Sequence, residues 1–235
     1  METPAISFIT VSQRPEMVQK LEASLRAATG GITWELTVVD GRLHDLFRGY
    51  NRGAKQSRAD RLVFLHDDVQ LMGNALTWER PLKLVDDPAV GFIGIAESRR
   101  LEAWGTWWGG NLTQEETFGS CRGMVWYPAE DDSGVKVNCW PSNMALFGRV
   151  LVVDGTFLLC HCRTFDALRG FDEQTFQGYH FYDVDITFRA ALAGLINHVA
   201  PIPLLHASMG RYDFQWQAAR QIFAKKYAAV LPRWM

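Results

Sequence analysis

Apolar and polar positions in the first half of the chain alternate in blocks that predict strands and helices in turn. The runs Ile6–Val11, Trp34–Val39 and Arg61–Leu65 have the length and β-branched or apolar composition of buried strands. Between them, helical spacing of apolar residues follows Pro15 and continues to Gly30, and a second helix is predicted from Leu46 to Ala59. This order predicts an α/β fold with a parallel sheet and helices on its faces.

The second half is less regular. Residues 97–141 are rich in Trp and Gly and predict long loops with one or two short strands. A strand interrupted at Asp154-Gly155 is expected over Val150–Cys160, followed by a helix over Val184–Leu195. His198–Leu205 contains two prolines and therefore predicts an edge strand, and Asp213–Val230 predicts a last helix.

Composition excludes several classes of protein. The chain has 235 residues, 48% of them hydrophobic, which excludes a disordered chain. Its 24 Lys+Arg and 26 Asp+Glu give a net charge of −2, so we expect no nucleic-acid partner. No apolar run reaches the roughly 18 residues of a membrane helix. With no export signal and four cysteines that we interpret as reduced thiols, the expected compartment is the cytoplasm.

Polar residues follow each of the three predicted strands. Ser12 ends the first, Asp40 follows the second, and His66-Asp67-Asp68 follow the third. Ligands of open parallel sheets bind beyond the carboxyl ends of the strands. Carboxylates there either hold a divalent cation that also binds phosphates, or form an ordinary turn and cap cluster.

Two downstream residues carry chemistry that would complement this cluster. Asp183 precedes a predicted helix, so it is either an N-cap or a carboxylate that takes a proton from an attacking hydroxyl. His206 follows an apolar run, and neutral imidazole together with the Asp68 carboxylate suits Mn²⁺. Trp107 and Trp108 stand among glycines, where their rings either stack on a sugar or fill a core beneath a loop.

Five segments together resemble family 2-type glycosyltransferases, over roughly residues 5–210. Ile6–Arg14, Val38–Gly41, Tyr50–Ala54, Phe64–Val69 and Gly170–Ile186 follow one another in that family's order and spacing. The resemblance implies the A-type, nucleotide-diphospho-sugar transferase fold. This fold has a mostly parallel central sheet flanked by helices and a small mixed sheet on the acceptor side.

The resemblance also implies a function. A single domain over residues 1–235 would have a nucleotide-sugar half (about 1–100), an acceptor and catalytic half (about 101–212) and a C-terminal helix (213–235). The implied enzyme uses Mn²⁺ or Mg²⁺ and transfers a sugar with inversion from a nucleotide diphosphate, with a UDP-sugar the expected donor. The acceptor would be a hydroxyl of a glycan or glycolipid, reached in the cytoplasm or by peripheral association with the inner face of a membrane.

Roles follow by matching positions. Asp183 matches the general base, Asp68 the metal-binding aspartate, and His206 a histidine that completes the metal site in some relatives. The residues implied to border the nucleotide-sugar are Thr10, Val11, Ser12, Arg14, Asp40, Asn51, His66 and Asp67. Those expected on the substrate side are Trp107, Trp108, Asp154, Gly155 and Asp185.

Two positions depart from the family pattern. His66 stands at the first position of the family's Asp-x-Asp motif, and Tyr182 replaces the Glu before the base. The first change leaves open a binding domain of the same fold that has lost the reaction. A nucleotidyltransferase is the other alternative, although residues 10–15 lack the Gly-rich phosphate loop of that class.

Overall fold

A computed structural model describes residues 3–107, 119–129, 134–140, 147–208 and 210–235. Within these ranges, seven strands form the main sheet. In spatial order the strands are β10 (Gly148–Val150), β13 (Ile196–Val199), β5 (Val90–Gly94), β12 (Phe157–His161), β3 (Arg61–Leu65), β1 (Ile6–Ser12) and β2 (Trp34–Asp40). Strand β1 pairs in parallel with β2 on one side and with β3 on the other.

Other strands form a second sheet. It carries six strands in the part of the chain that is described, and most of their pairings are antiparallel. Its path is β11 (Val152–Val153), β6 (Ala96–Ser98), β8 (Cys121–Pro128), β14 (Leu204–His206) and β4 (Val69–Leu71), with β9 (Val135–Trp140) paired to β8. A short pair joins β7 (Arg100–Leu101) to β15 (Arg233–Trp234).

Six helices lie in the described ranges. They are α1 (Pro15–Thr29), α2 (Leu46–Gln56), α3 (Ala75–Val85), α4 (Cys162–Ala167), α5 (Tyr182–Leu192) and α6 (Phe214–Lys226). As predicted, α1 begins at a proline and ends before Gly30, which is left-handed at φ 56°. None of the helices in the described ranges is long and apolar enough to cross a lipid bilayer.

Two glycines let α2 lie close against the sheet. A Cβ at Gly49 would stand 2.4 Å from a methyl carbon of Val11, and one at Gly53 would stand 2.3 Å from a methyl carbon of Ile9. Neither position tolerates a side chain without moving the helix. The α2 backbone therefore rests directly on β1.

The α/β class and the helix-flanked sheet are confirmed, with four differences of detail. The main sheet is mixed, because β12 runs antiparallel between β3 and β5. The segment expected to be one edge strand is two, β13 and β14, since the prolines at 201 and 203 interrupt the pairing; β13 lies inside the sheet. Helix α3 was not predicted, and β8, expected within loops, has eight residues.

A buried carboxylate ties the last helix to the fold. Asp185 on α5 is 0% exposed. One of its oxygens accepts from Arg189 Nε at 2.8 Å, and the other accepts from Lys226 Nζ at 2.6 Å and the Tyr227 hydroxyl at 2.7 Å. Arg189 also donates to the carbonyl oxygens of Leu168 and Gly170. This cluster, Asp185–Arg189–Lys226–Tyr227, fixes α5 against both α6 and the 168–170 turn.

We expect Asp185→Asn to lower the free energy of unfolding by about 3 kcal/mol. The reason is that Arg189 and Lys226 would lose their carboxylate partner where water solvates them poorly. The matched change Glu22→Gln should cost less than about 0.5 kcal/mol, since Glu22 pairs with Arg26 on the exposed face of α1. Urea denaturation of the two variants measures the difference. Equal losses would contradict the structural role assigned to Asp185.

Candidate active site

The polar strand ends lie side by side, as expected. Ser12, the last residue of β1, stands opposite Asp40, the last residue of β2, and β3 on the other side leads into His66. The Ser12 hydroxyl donates to Asp67 Oδ2 at 2.5 Å. The Arg14 guanidinium forms a two-pronged contact with the same carboxylate, so the charge of Asp67 is balanced within the cleft.

Three side chains form a cluster that can hold a divalent cation. Because β14 pairs antiparallel with β4, His206 stands opposite Val69 and comes to lie beside Asp68. His206 Nε2 is 3.3 Å from Asp68 Oδ1 and 3.2 Å from His66 Nδ1. One side-chain nitrogen or carboxylate oxygen from each of the three residues lies within 4.8 Å of the other two. We call His66, Asp68 and His206 the His–Asp–His cluster.

The donor set of this cluster fits a divalent cation. Adjacent ligands of an octahedral ion with bonds of about 2.1 Å lie about 3 Å apart, which matches the observed separations. Two imidazoles and one carboxylate suit Mn²⁺. The Nδ1 atom of His206 is buried and has no hydrogen-bond partner among the described residues, so its Nε2 contacts, which include Ser208, orient the ring.

The environment favours the metal-binding protonation states. Burial alone would raise the pKa of Asp68, but its hydrogen bond to His206 outweighs burial and holds that pKa well below the ordinary range. Burial, reinforced by the charge of His206, lowers the pKa of His66 to about 4. At neutral pH the cluster therefore presents an ionised carboxylate and an uncharged His66 ring.

Asp183 lies beside this cluster, at the start of α5. Its Oδ2 accepts from the Gly155 amide at 2.7 Å, while the Gly155 carbonyl accepts from the Tyr182 hydroxyl at 2.9 Å. The same hydroxyl is 2.7 Å from His66 Nε2. The backbone of one residue, Gly155, and one tyrosine thus connect the carboxylate to the cation cluster.

The electrostatics of Asp183 suit proton transfer. Burial, reinforced by repulsion from Asp154, raises the pKa of Asp183 to about 7, although the amides of Val184 and Gly155 favour its ionised form. The side chain remains partly exposed. A carboxylate with a pKa near neutrality is a stronger base than an ordinary one, and a large fraction of it is ionised at physiological pH.

The backbone is strained at the residue that precedes Tyr182 and Asp183. Phe181, directly before α5, is left-handed at φ 66°, which is costly for a bulky residue. Its ring packs 5.2 Å from that of Phe223 and 5.8 Å from that of Trp216 on α6. Contacts with the last helix therefore hold the bend that turns Tyr182 and Asp183 toward the strand ends.

Several residues that were predicted to contact the nucleotide are buried or bonded to other groups of the protein. Thr10 is fully buried in β1, and Val11 packs against α2 at Gly49. Asp40 binds Arg42 at 2.6 Å, and this hydrogen bond lowers the pKa of Asp40 to about 2. The Asn51 side chain contacts the backbone of Phe171 and the Glu173 carboxylate. Asn51 therefore ties α2 to the turn before α5.

The predicted substrate residues are dispersed. Trp107 is 5% exposed, whereas Trp104 is 60% exposed, and Trp108 lies outside the described residues. Asp154 caps its own turn by accepting from the Thr156 amide and hydroxyl, close to Asp183. Asp185 points into the core, away from the other site residues.

Sequence reasoning did not assign a role to Tyr182 or a metal contact to His66. A signal existed for both, because each residue occupies a position where the family pattern has a carboxylate. Both positions were therefore candidates for a role specific to this chain. Their contact at 2.7 Å shows that they meet in space.

Solved structures share this fold. GalNAc-T7 with UDP, GalNAc and Mn²⁺ has a TM-score of 0.59 and 12% identity, over 92% of this chain and 45% of that one. Mannosyltransferase PcManGT from Pyrobaculum calidifontis, in complex with GDP-Man and Mn²⁺, has a TM-score of 0.58 and 12% identity, over 97% and 65%. The fold is that of A-type glycosyltransferases. This chain spans less than two thirds of the length of either protein.

A family model agrees with the fold. The glycosyltransferase-like family matches residues 7–227, and the chain belongs to this family. A search of curated proteins finds no match. The matched range contains the whole His–Asp–His cluster and Asp183.

The raised pKa of Asp183 predicts a pH-dependent effect on stability. Between the ordinary carboxyl pKa of about 4 and about 7, the folded state keeps a proton that the unfolded state has released, so stability falls as pH rises. Asp183→Asn removes this penalty. In EDTA, it should raise the midpoint of thermal unfolding by several degrees more at about pH 8 than at about pH 5.

Asp172→Asn is the control of opposite sign. Burial of Asp172 is outweighed by its hydrogen bond to Lys226, which lowers its pKa to about 2. This carboxylate is ionised in both states at both pH values, so its replacement should lower the midpoint equally at each. A pH-independent effect of Asp183→Asn would contradict the environment assigned to Asp183.

Proposed function

We propose that this chain is a metal-dependent, inverting glycosyltransferase that moves a sugar from a nucleotide diphosphate to a hydroxyl of a glycan or glycolipid. The observation that carries the proposal is the convergence of the His–Asp–His cluster and Asp183 at the carboxyl ends of the parallel strands. One half of this pair can bind a diphosphate through a cation and the other can accept a proton. Sugar transfer from a nucleotide diphosphate needs both.

The donor would lie across the ends of β1, β2 and β3. A cation, Mn²⁺ or Mg²⁺, bound by His66, Asp68 and His206 would offset the negative charge that builds on the departing diphosphate. Asp67 is neutralised by Arg14, so Asp68 supplies the cluster's anionic ligand. A divalent cation there keeps net positive charge for the phosphates. Residues 1–100 would thus supply most of the donor side.

Asp183 would act on the acceptor. As the acceptor oxygen forms its bond to the anomeric carbon and the bond to the diphosphate oxygen breaks, the hydroxyl proton passes to Asp183. Attack from the face opposite the leaving group inverts the anomeric centre. The Gly155 amide holds the carboxylate at 2.7 Å during this transfer.

A UDP-sugar is the proposed donor, on the resemblance of Asp40 to the residue that contacts uracil or ribose. Asp40 is held by Arg42 at the end of β2, where a base or ribose bound beyond the sheet would meet it. The two solved structures bind different nucleotides, UDP and GDP-Man, so fold alone does not select the base. A glycolipid acceptor would bring the enzyme to a membrane surface.

Binding of a nucleotide-sugar should stabilise the protein only when a metal is present. With UDP-, GDP-, CDP- and TDP-sugars tested in Mn²⁺ or in EDTA, ligand at about 100 times its Kd should add roughly 2.7 kcal/mol. His206→Ala should abolish the metal-dependent part of the shift. If no nucleotide gives a metal-dependent shift, both the enzyme proposal and an inactive nucleotide-binding domain fail.

Asp183→Asn should lower kcat by about 10²–10⁴-fold while nucleotide binding persists, because the amide cannot take the proton. In the wild type, kcat should rise with pH through about 7 as Asp183 ionises. Product release is followed as nucleoside diphosphate, and the anomer is read by NMR. Near-normal turnover in the variant would refute the assignment of the base and of the inverting mechanism.

A further inference from the structure

We propose that Tyr182 is a positioning residue whose hydroxyl, held by the Gly155 carbonyl, orients the His66 ring for cation binding and links it to Asp183. The inference rests on the proposed function, since it concerns how the His–Asp–His cluster is prepared for a metal. It assigns a role to the residue that stands where the family pattern has a glutamate.

The donors and acceptors available set the direction of the two hydrogen bonds of the Tyr182 hydroxyl. The Gly155 carbonyl oxygen can only accept, so the Tyr182 hydroxyl donates its single proton to it over 2.9 Å. That hydroxyl then has only lone pairs for His66 Nε2, which lies 2.7 Å away and must carry the ring proton. His66 Nδ1 is left with its lone pair, aimed at the cation position beside His206. Both contacts of Tyr182 are satisfied together only in this arrangement.

Packing prevents the hydroxyl from swinging away. Tyr182 is 2% exposed, and its ring contacts those of Tyr50 at 5.5 Å, Phe171 at 5.7 Å and Phe47 at 6.1 Å. A side chain packed on several sides by aromatic rings has one accessible position. The orientation of His66 is therefore built into the apo protein, which reduces the cost of binding a cation.

Gly155 contacts both Tyr182 and Asp183. Its carbonyl accepts from the Tyr182 hydroxyl and its amide donates to Asp183, so the metal cluster and the base are connected through the backbone of one residue. A Cβ at Gly155 would lie 2.1 Å from the Tyr182 hydroxyl oxygen and 2.9 Å from Asp183 Cβ. No side chain fits there without displacing one of them. Movement of this loop would release the base and the His66 ring together.

The test is a double-mutant cycle on Mn²⁺ affinity. Tyr182→Phe, His66→Ala and the double variant are titrated with Mn²⁺ alone and then with UDP present, and free Mn²⁺ is followed by EPR. Tyr182→Phe should weaken binding by about 10–100-fold, as expected for loss of a partner that orients a ligand. In the His66→Ala background the same change should have no further effect. A purely structural role would weaken binding equally in both backgrounds.

Tyr227→Phe is the matched control. It also removes a buried, hydrogen-bonded tyrosine hydroxyl, the one donated to Asp185, and should leave Mn²⁺ affinity unchanged. Circular dichroism verifies that each variant is folded. A further variant, Gly155→Ala, crowds the Tyr182 hydroxyl and should weaken Mn²⁺ binding as Tyr182→Phe does. Unchanged affinity in Tyr182→Phe, with His66→Ala weakened, overturns this inference and leaves the proposed function intact. Failure of the wild type to bind Mn²⁺ in either titration overturns both.

Discussion

The parallel pairing of β1 with a strand on each side is the constraint on which the site depends. Parallel neighbours bring their carboxyl ends to one edge, so Ser12, Asp40 and His66 meet there although they come from separate parts of the chain. Helix α2 packs closely on β1, which requires glycine at positions 49 and 53. Slippage of β1 would separate the residues that meet at this edge.

Much of this arrangement could be predicted from the sequence, because its causes are local. Buried β-branched runs predict strands, and a polar residue directly after such a run lies at the sheet edge. The approach of Asp68 and His206 was also expected, from the match of residue types to one cation. The register of β14 against β4, which produces that approach, has no local signal and follows from the tertiary pairing.

What could not be predicted depends on contacts made after the elements form. Asp185 was expected at the substrate, but residues two apart on a helix face about 200° apart, so with Asp183 at the cleft Asp185 enters the core. There it meets Lys226 and Tyr227, which are distant in sequence. The left-handed Phe181 is likewise maintained by rings from α6. Helix α3 contains Pro81, whose usual effect is to break a helix.

The separation of the site residues along the chain has a kinetic consequence. His66 and His206 are 140 positions apart, and Asn51 contacts Phe171 across 120. Contacts of such separation carry a large loop-closure entropy and form after local helices and hairpins. During synthesis, the first hundred residues could pair β1 with β2 and β3 while still lacking a complete cation site. The nascent chain therefore carries two of the three residues of the His–Asp–His cluster long before the third has been synthesised.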